Sequence, residues 1–204
     1  MNNSFKISAY CSIKGNQMFL NGELVFETTP TLFSDFSKKA YTFLEENYPK
    51  FFKMDNLSKL AFIGSELLFK NYNFQDKENG LALVFANKHS SLDTDVKFQE
   101  SISNEANYFP SPAVFVYTLP NICLGEISIK HQLKTENSFF IFENFNPDFM
   151  TNYGEVLLQT NKATSLLCGW VDYFNETYNA FFYIVAKSGT LEHTKEQLEI
   201  IYNK

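Results

Sequence analysis

The chain has 204 residues, an ordinary apolar share of 45%, a high aromatic share of 17% and a net charge of −6. One domain is the expected unit at this length, able to bury roughly 70% of the surface its unfolded chain would expose. Every one of the 17 basic residues is lysine, which removes the fork-shaped donor used for bidentate phosphate recognition, and with no basic stripe nucleic acid is excluded as an expected partner.

The N-terminal MNNSFK has no apolar signal core, and no run reaches the ~18 apolar residues of a membrane span. Cys11, Cys123 and Cys168 are odd in number, widely spaced and set among apolar residues. They read as buried thiols of a reducing compartment, so the expected location is the cytoplasm.

Strand signals open the chain at KISAYCSI and again at MFLNGELVFE, where Asn21-Gly22 is a hairpin-type turn. TPTLFSDFSKKAYTFLEENY reads as a helix with Thr and Ser at its start and Phe36, Ala40 and Phe43 on one face, ended by Pro49. A second helix starts at Asp55 or Asn56. Its stripe is Leu57, Leu60, Ala61, Gly64, Leu67 and Leu68.

LALVFAN is a continuous apolar run, the pattern of a strand covered on both faces. Asp93, Thr94 and Asp95 mark a helix start, with Phe98 and Ile102 inward. The segment YFPSPAVFVYTLPN is stiffened by three prolines, and a helix is predicted from Pro120 with Thr118 near its cap. In it Glu126 and Lys130 are spaced as an i, i+4 pair. Gly125 inside this helix costs roughly 1 kcal/mol against Ala, which points to close packing against another backbone. Strand SFFIF, helix DFMTNYGEVLLQT, strands ATSLLCGWVDYF and AFFYIVAK, and helix LEHTKEQLEIIY complete the chain. The alternation implies an α/β domain with a mostly parallel sheet.

The chemistry-bearing residues are few. His89-Ser-Ser-Leu-Asp93-Thr-Asp95 has one imidazole only, and its carboxylates coincide with a helix start, so capping explains them better than a metal. His131 falls near a helix C-terminus, where a positive charge is welcome, and His193 in a polar stretch. No glycine pair spaced G-x-G, no HExxH, no GxSxG and no paired-cysteine pattern occurs. No metal or other cofactor is expected.

The stretch FPSPAVFVYTLPNICLGEISIKHQLKTENSFFIF resembles the N-terminal half of β-ketoacyl synthases, the thiolase-like condensing enzymes. Ser111-Pro112, the apolar run to Asn121, Gly125 four positions on, Ile127 to Ile129 and the strand SFFIF follow that family's order. KTEN stands where the family has a glycine-containing turn, and in SLLCGWVD only Gly169 remains of a usual glycine pair. The resemblance spans about Ile7 to Tyr202. It implies a single thiolase-like half-domain over residues 1–204, with a five-stranded, mostly parallel sheet covered by helices.

The resemblance also implies where a nucleophile would stand. Family members carry a cysteine just after the strand matching SFFIF, at a helix N-terminus that favours the thiolate. Counting from Asn121, that place falls on Asn144. The family's histidine pair lies in a C-terminal half that this chain does not reach. The expected binding residues are Asn121, Gly125, Phe142, Glu143, Asn144 and Phe145, with no catalytic residue. The expected role is that of a non-catalytic, chain-length-factor-like accessory subunit, as in shortened ketosynthase-like proteins of aryl-polyene-type pigment pathways. The expected partner is a ketosynthase subunit or a second copy, with an acyl carrier protein as a further candidate. A module that binds an acyl chain or an acyl carrier protein is the alternative. An enzyme of another kind, using Cys168 or Glu143 with Asn144, is a third reading.

Overall fold

The computed structural model describes residues 5–72, 80–103 and 105–204. The strands are β1 (Lys6–Lys14), β2 (Gln17–Leu20), β3 (Glu23–Glu27), β4 (Leu81–Asn87), β5 (Asn137–Ile141), β6 (Ser165–Phe174), β7 (Thr177–Ala186) and β8 (Leu191–Glu192). The helices are α1 (Phe33–Phe43), α2 (Asn56–Asn71), α3 (Leu92–Ile102), α4 (Pro112–Phe115), α5 (Ile122–His131), α6 (Pro147–Gln159) and α7 (Lys195–Tyr202). Short 3-10 turns occupy Pro49–Lys53, Glu105–Asn107 and Val116–Thr118.

The strands form one sheet in the order β3-β2-β1-β7-β6-β4-β5, with β8 beside β1. The α/β class expected from the alternation holds, but among the described residues the sheet has eight strands rather than five, and only the β4–β5 and β4–β6 pairs are parallel. The reason is local. Gly15-Asn16, Asn21-Gly22 and Asn175-Glu176 each join two strands through a pair of residues at positive φ. Such turns match the twist of antiparallel ribbons, whereas a parallel connection needs a dozen residues or more.

Along β4 the side chains alternate between two cores. Leu81, Leu83 and Phe85 join the layer containing α1, α2 and α5, while Ala82, Val84 and Ala86 face α6 and α7. This is why LALVFAN is apolar throughout. Gly64 of α2 and Gly169 of β6 receive the ring of Phe182: a Cβ on Gly169 would lie 2.6 Å from it, and one on Gly64 would overlap it. The predicted glycine in the α2 stripe is therefore a seat for a phenyl ring.

Two helix boundaries differ from expectation. α1 has no cap from its own Thr or Ser side chains. Its first amide, on Phe33, instead donates to Glu176 Oε2 at 2.7 Å. Phe43 lies at the rim against Phe26, and Tyr41 takes the inward place expected of it. The three-proline segment contains an additional helix, α4, with Ser111 accepting from Val114 N and Pro112 at its first turn. α2 begins as predicted, capped by Asp55 accepting from Ser58 N at 2.9 Å.

α5 is anchored by charge rather than by a pair along its own face. Lys130 Nζ reaches Glu46 and lies 2.9 Å from Glu66 Oε2, and His131 Nε2 is 2.6 Å from Glu66 Oε1. Glu126 pairs with Lys50 at 2.8 Å and accepts from the Tyr117 hydroxyl at 2.9 Å. The expected Glu126–Lys130 pair is thus replaced by partners on neighbouring elements. A buried carboxylate recruits cations from whichever element packs over it.

Candidate active site at the strand C-termini

The parallel strands β5, β4 and β6 end on one edge of the sheet, the side where open α/β sheets hold ligands. After β5 the chain turns through Phe142, Glu143, Asn144 and Phe145 into α6. Phe142 N donates to Asn87 O at 2.9 Å, extending the ladder by one bond. Asn146 then caps α6 by accepting from Phe149 N at 3.0 Å, with Pro147 in the first turn where its missing N–H costs nothing.

A shallow cleft of about 420 Å3 opens here, lined by Phe142 to Asp148 together with Lys195 and Glu199 of α7. Glu143 and Asn144 are exposed, and Phe145 is half-buried. Phe145 stacks on Tyr202 with centroids 4.5 Å apart and lies edge-on to Trp170 and Phe181. A second cleft, of about 290 Å3, continues past Phe145 to Tyr202 and Asn203.

Four of the six expected binding residues therefore meet in one place. Asn121 and Gly125 do not join them: α5 packs on the opposite face of the sheet. Asn121 is exposed just before α5, and its carbonyl accepts from Gly125 N at 3.2 Å. The close packing expected at Gly125 is absent. Among the described residues, a Cβ placed there would meet no atom within 4 Å.

No thiol is at this edge. All three cysteines are free and buried. Cys168 sits in the middle of β6, not near a strand end, and burial pushes its thiol up to about 12. Cys11 and Cys123 are also raised, in both cases chiefly by burial. A protonated, inaccessible thiol is a poor nucleophile, so the reading built on Cys168 loses its physical basis.

The imidazoles have three different fates. His131 is held by Glu66. His193 lies in the core under α6 rather than in a polar surface stretch. Among the described residues neither of its ring nitrogens has a partner, and burial lowers it to about 4. His89, which the sequence assigns to a capping segment, is paired with Asp172 of β6: Nδ1 lies 2.7 Å from Oδ2. The other oxygen of Asp172 accepts from Lys88 N at 3.1 Å and His89 N at 3.0 Å.

Ser90, next in the chain, is at φ 52, and the buried Asn87 side chain bonds both its amide and its carbonyl. The His89 ring also stacks on Phe174 at 5.2 Å. Sequence reasoning missed this pair because its members are 83 residues apart and meet only through β4–β6 pairing. Among the described residues no group of three or more His, Cys, Asp or Glu side chains could hold a metal ion. No single helix there is long and apolar enough to cross a membrane.

No family model matches the sequence, and no curated protein does. The fold, however, matches solved structures. The ishigamide ketosynthase/chain length factor superposes with a TM-score of 0.66 at 14% identity, over 90% of this chain and 62% of that one. A ketosynthase in complex with its chain length factor from Xenorhabdus doucetiae gives 0.60 at 11% identity, over 91% and 80%. A β-ketoacyl synthase from Burkholderia phymatum gives 0.58 at 8% identity, over 97% and 60%. The chain thus has the ketosynthase-like, thiolase-type fold, and it spans about three-fifths of the length of the first and last of these.

Proposed function

We propose that this protein is a non-condensing, chain-length-factor-like subunit that partners a ketosynthase in fatty-acid- or polyketide-type biosynthesis. One observation carries the reading. The strand–helix turn where the resemblance puts the condensing cysteine is Glu143-Asn144-Phe145-Asn146, and the residue at the matched position, the exposed Asn144, is an amide. Asn144 cannot form a thioester, and no cysteine lines the cleft at this turn; all three are buried elsewhere.

An open strand edge supports a partner. Among the described residues β5 pairs only with β4, and it forms the edge of the sheet. Ile141 on that edge is 53% exposed and Ile129 of α5 is 64% exposed. An open edge flanked by apolar side chains favours a partner strand. The proposed partner is a ketosynthase or a second copy, acting in the cytoplasm, with residues 1–204 as one half-domain and no cofactor. Phe142 and Phe145 along the cleft favour a second reading, in which an acyl chain or the arm of an acyl carrier protein docks there.

Reconstitution with a full-length ketosynthase, an acyl carrier protein and malonyl donor tests the proposal. Adding this chain should change product length or rate without the chain itself acquiring a covalent acyl group. An acyl adduct on this chain, or no change in product, overturns it.

A further inference from the structure

The proposed function leaves the His89–Asp172 pair without a task. The pair is held from several directions. One carboxylate oxygen takes the ring Nδ1–H while the other takes two backbone amides of the same loop. The loop itself contains a non-glycine residue in the left-handed region, fixed there by Asn87, which is fully buried. Strain held by surrounding bonds is found where a side chain must be kept in one pose.

With Nδ1–H donated to a carboxylate, the free nitrogen is Nε2. It has no hydrogen-bond partner among the described residues, and the side chain is 31% exposed. This is the tautomer of a proton acceptor. The pair also connects to the aromatic clefts. Asp172 faces Asn179 across the β6–β7 ladder, Asn179 Nδ2 donates to the Tyr202 hydroxyl at 3.1 Å, and Tyr202 stacks on Phe145. Trp170, two residues before Asp172 and so on the same face of β6, lies edge-on to Phe145, which puts the pair on the clefts' side of the sheet.

We propose that His89, positioned by Asp172, is a general base that hydrolyses acyl thioesters whose chain lies along the Phe142–Phe145 wall; the substrate class rests on the proposed function, the base does not. In the step, His89 Nε2 takes a proton from water as the water oxygen bonds to the thioester carbonyl carbon. The carbon–sulfur bond then breaks, and the proton passes from Nε2 to the departing sulfur. Water and thioester become carboxylic acid and thiol, with no redox change. Asp172 is the charged group bonded to the ring, Phe174 is its stacking face, and Lys88 is the adjacent cation on its own loop.

The test uses the full chain alone with decanoyl-N-acetylcysteamine thioester, following free thiol. Release should exceed the buffer rate and fall roughly 100-fold or to the buffer rate in H89Q. D172N should keep its melting temperature and KM close to those of the parent while kcat falls, because the ring loses the carboxylate that holds its tautomer. A merely structural Asp172 would change the melting temperature and leave kcat in place. If H89Q does not fold, the D172N kcat decides alone. Release no faster than buffer, release unchanged in a folded H89Q, or an unchanged kcat in D172N each overturns the proposal. Complex formation with a ketosynthase, measured separately, distinguishes failure of this inference from failure of the accessory-subunit reading.

Discussion

At His193 the ring lies beside Tyr183 and Gly154, and among the described residues neither ring nitrogen has a hydrogen-bond partner. A free imidazole titrates near ~6.5, whereas burial holds this one at about 4. Between those values the unfolded chain binds the proton and the folded chain does not, so stability falls as pH drops through that window. The loss amounts to about 3 kcal/mol and is absent above the upper value. H193F should abolish this part of the pH dependence in urea melts at pH 7 and pH 5. Parallel pH profiles for the parent and the variant would contradict the assignment. Thiol reagents give a second residue-scale check. The native chain should resist iodoacetamide at neutral pH, while N144C, with a thiol beside the α6 N-terminus, should label rapidly; equal labelling of both would be the wrong result. The burial of the thiols was legible from sequence. The burial of His193 was not, because polar neighbours in sequence hid an apolar neighbourhood in space.

Elements were legible where their signal was local. The α2 stripe from Leu57 to Leu68 with its Asp55 cap, the β4 run, and the Asn21-Gly22 turn all occur as read. The errors came from partners distant in sequence or from turns that break residue preferences. Glu176 sits at φ 62, which disfavours it locally, yet its carboxylate caps α1 and accepts from the Tyr173 hydroxyl at 3.0 Å. That turn is why β6 and β7 are antiparallel neighbours, and neither role has a sequence pattern. E176A should free the Phe33 amide and cost about 1 kcal/mol, measurable by denaturant melts. E176G should cost less, because glycine relieves the strained φ. Equal losses in both would mean that the turn strain is negligible.

Across the whole molecule, the charge network under α5 joins the end of α1, α2 and α5 behind the open edge. Burial alone would raise Glu66, but its hydrogen bonds and charge contacts with His131 and Lys130 hold it below the usual carboxylate range. Its contribution is therefore fully present above the unfolded value of ~4.3 and is lost as pH falls through the lower folded value. E66Q leaves Lys130 with Glu46 alone and should destabilise by about 3 kcal/mol at neutral pH, read as a lower melting temperature. A change within error would show the network to be solvated in solution. The same network sets the pose of α5, so its loss should also weaken any assembly through the α5–β5 face. The α/β class and the thiolase-type arrangement followed from the order of motifs, while the antiparallel half of the sheet did not.

The account stands on a partner for the β5 edge. Native mass spectrometry of this chain mixed with a full-length ketosynthase measures it directly, with a β5 variant, F139P, as the control, since proline removes a strand amide and disfavours edge pairing. The prediction is a one-to-one complex with the parent chain and a large loss of that complex with the variant, while circular dichroism shows both folded. A parent chain that stays monomeric beside the ketosynthase, or a complex indifferent to the β5 change, would contradict it.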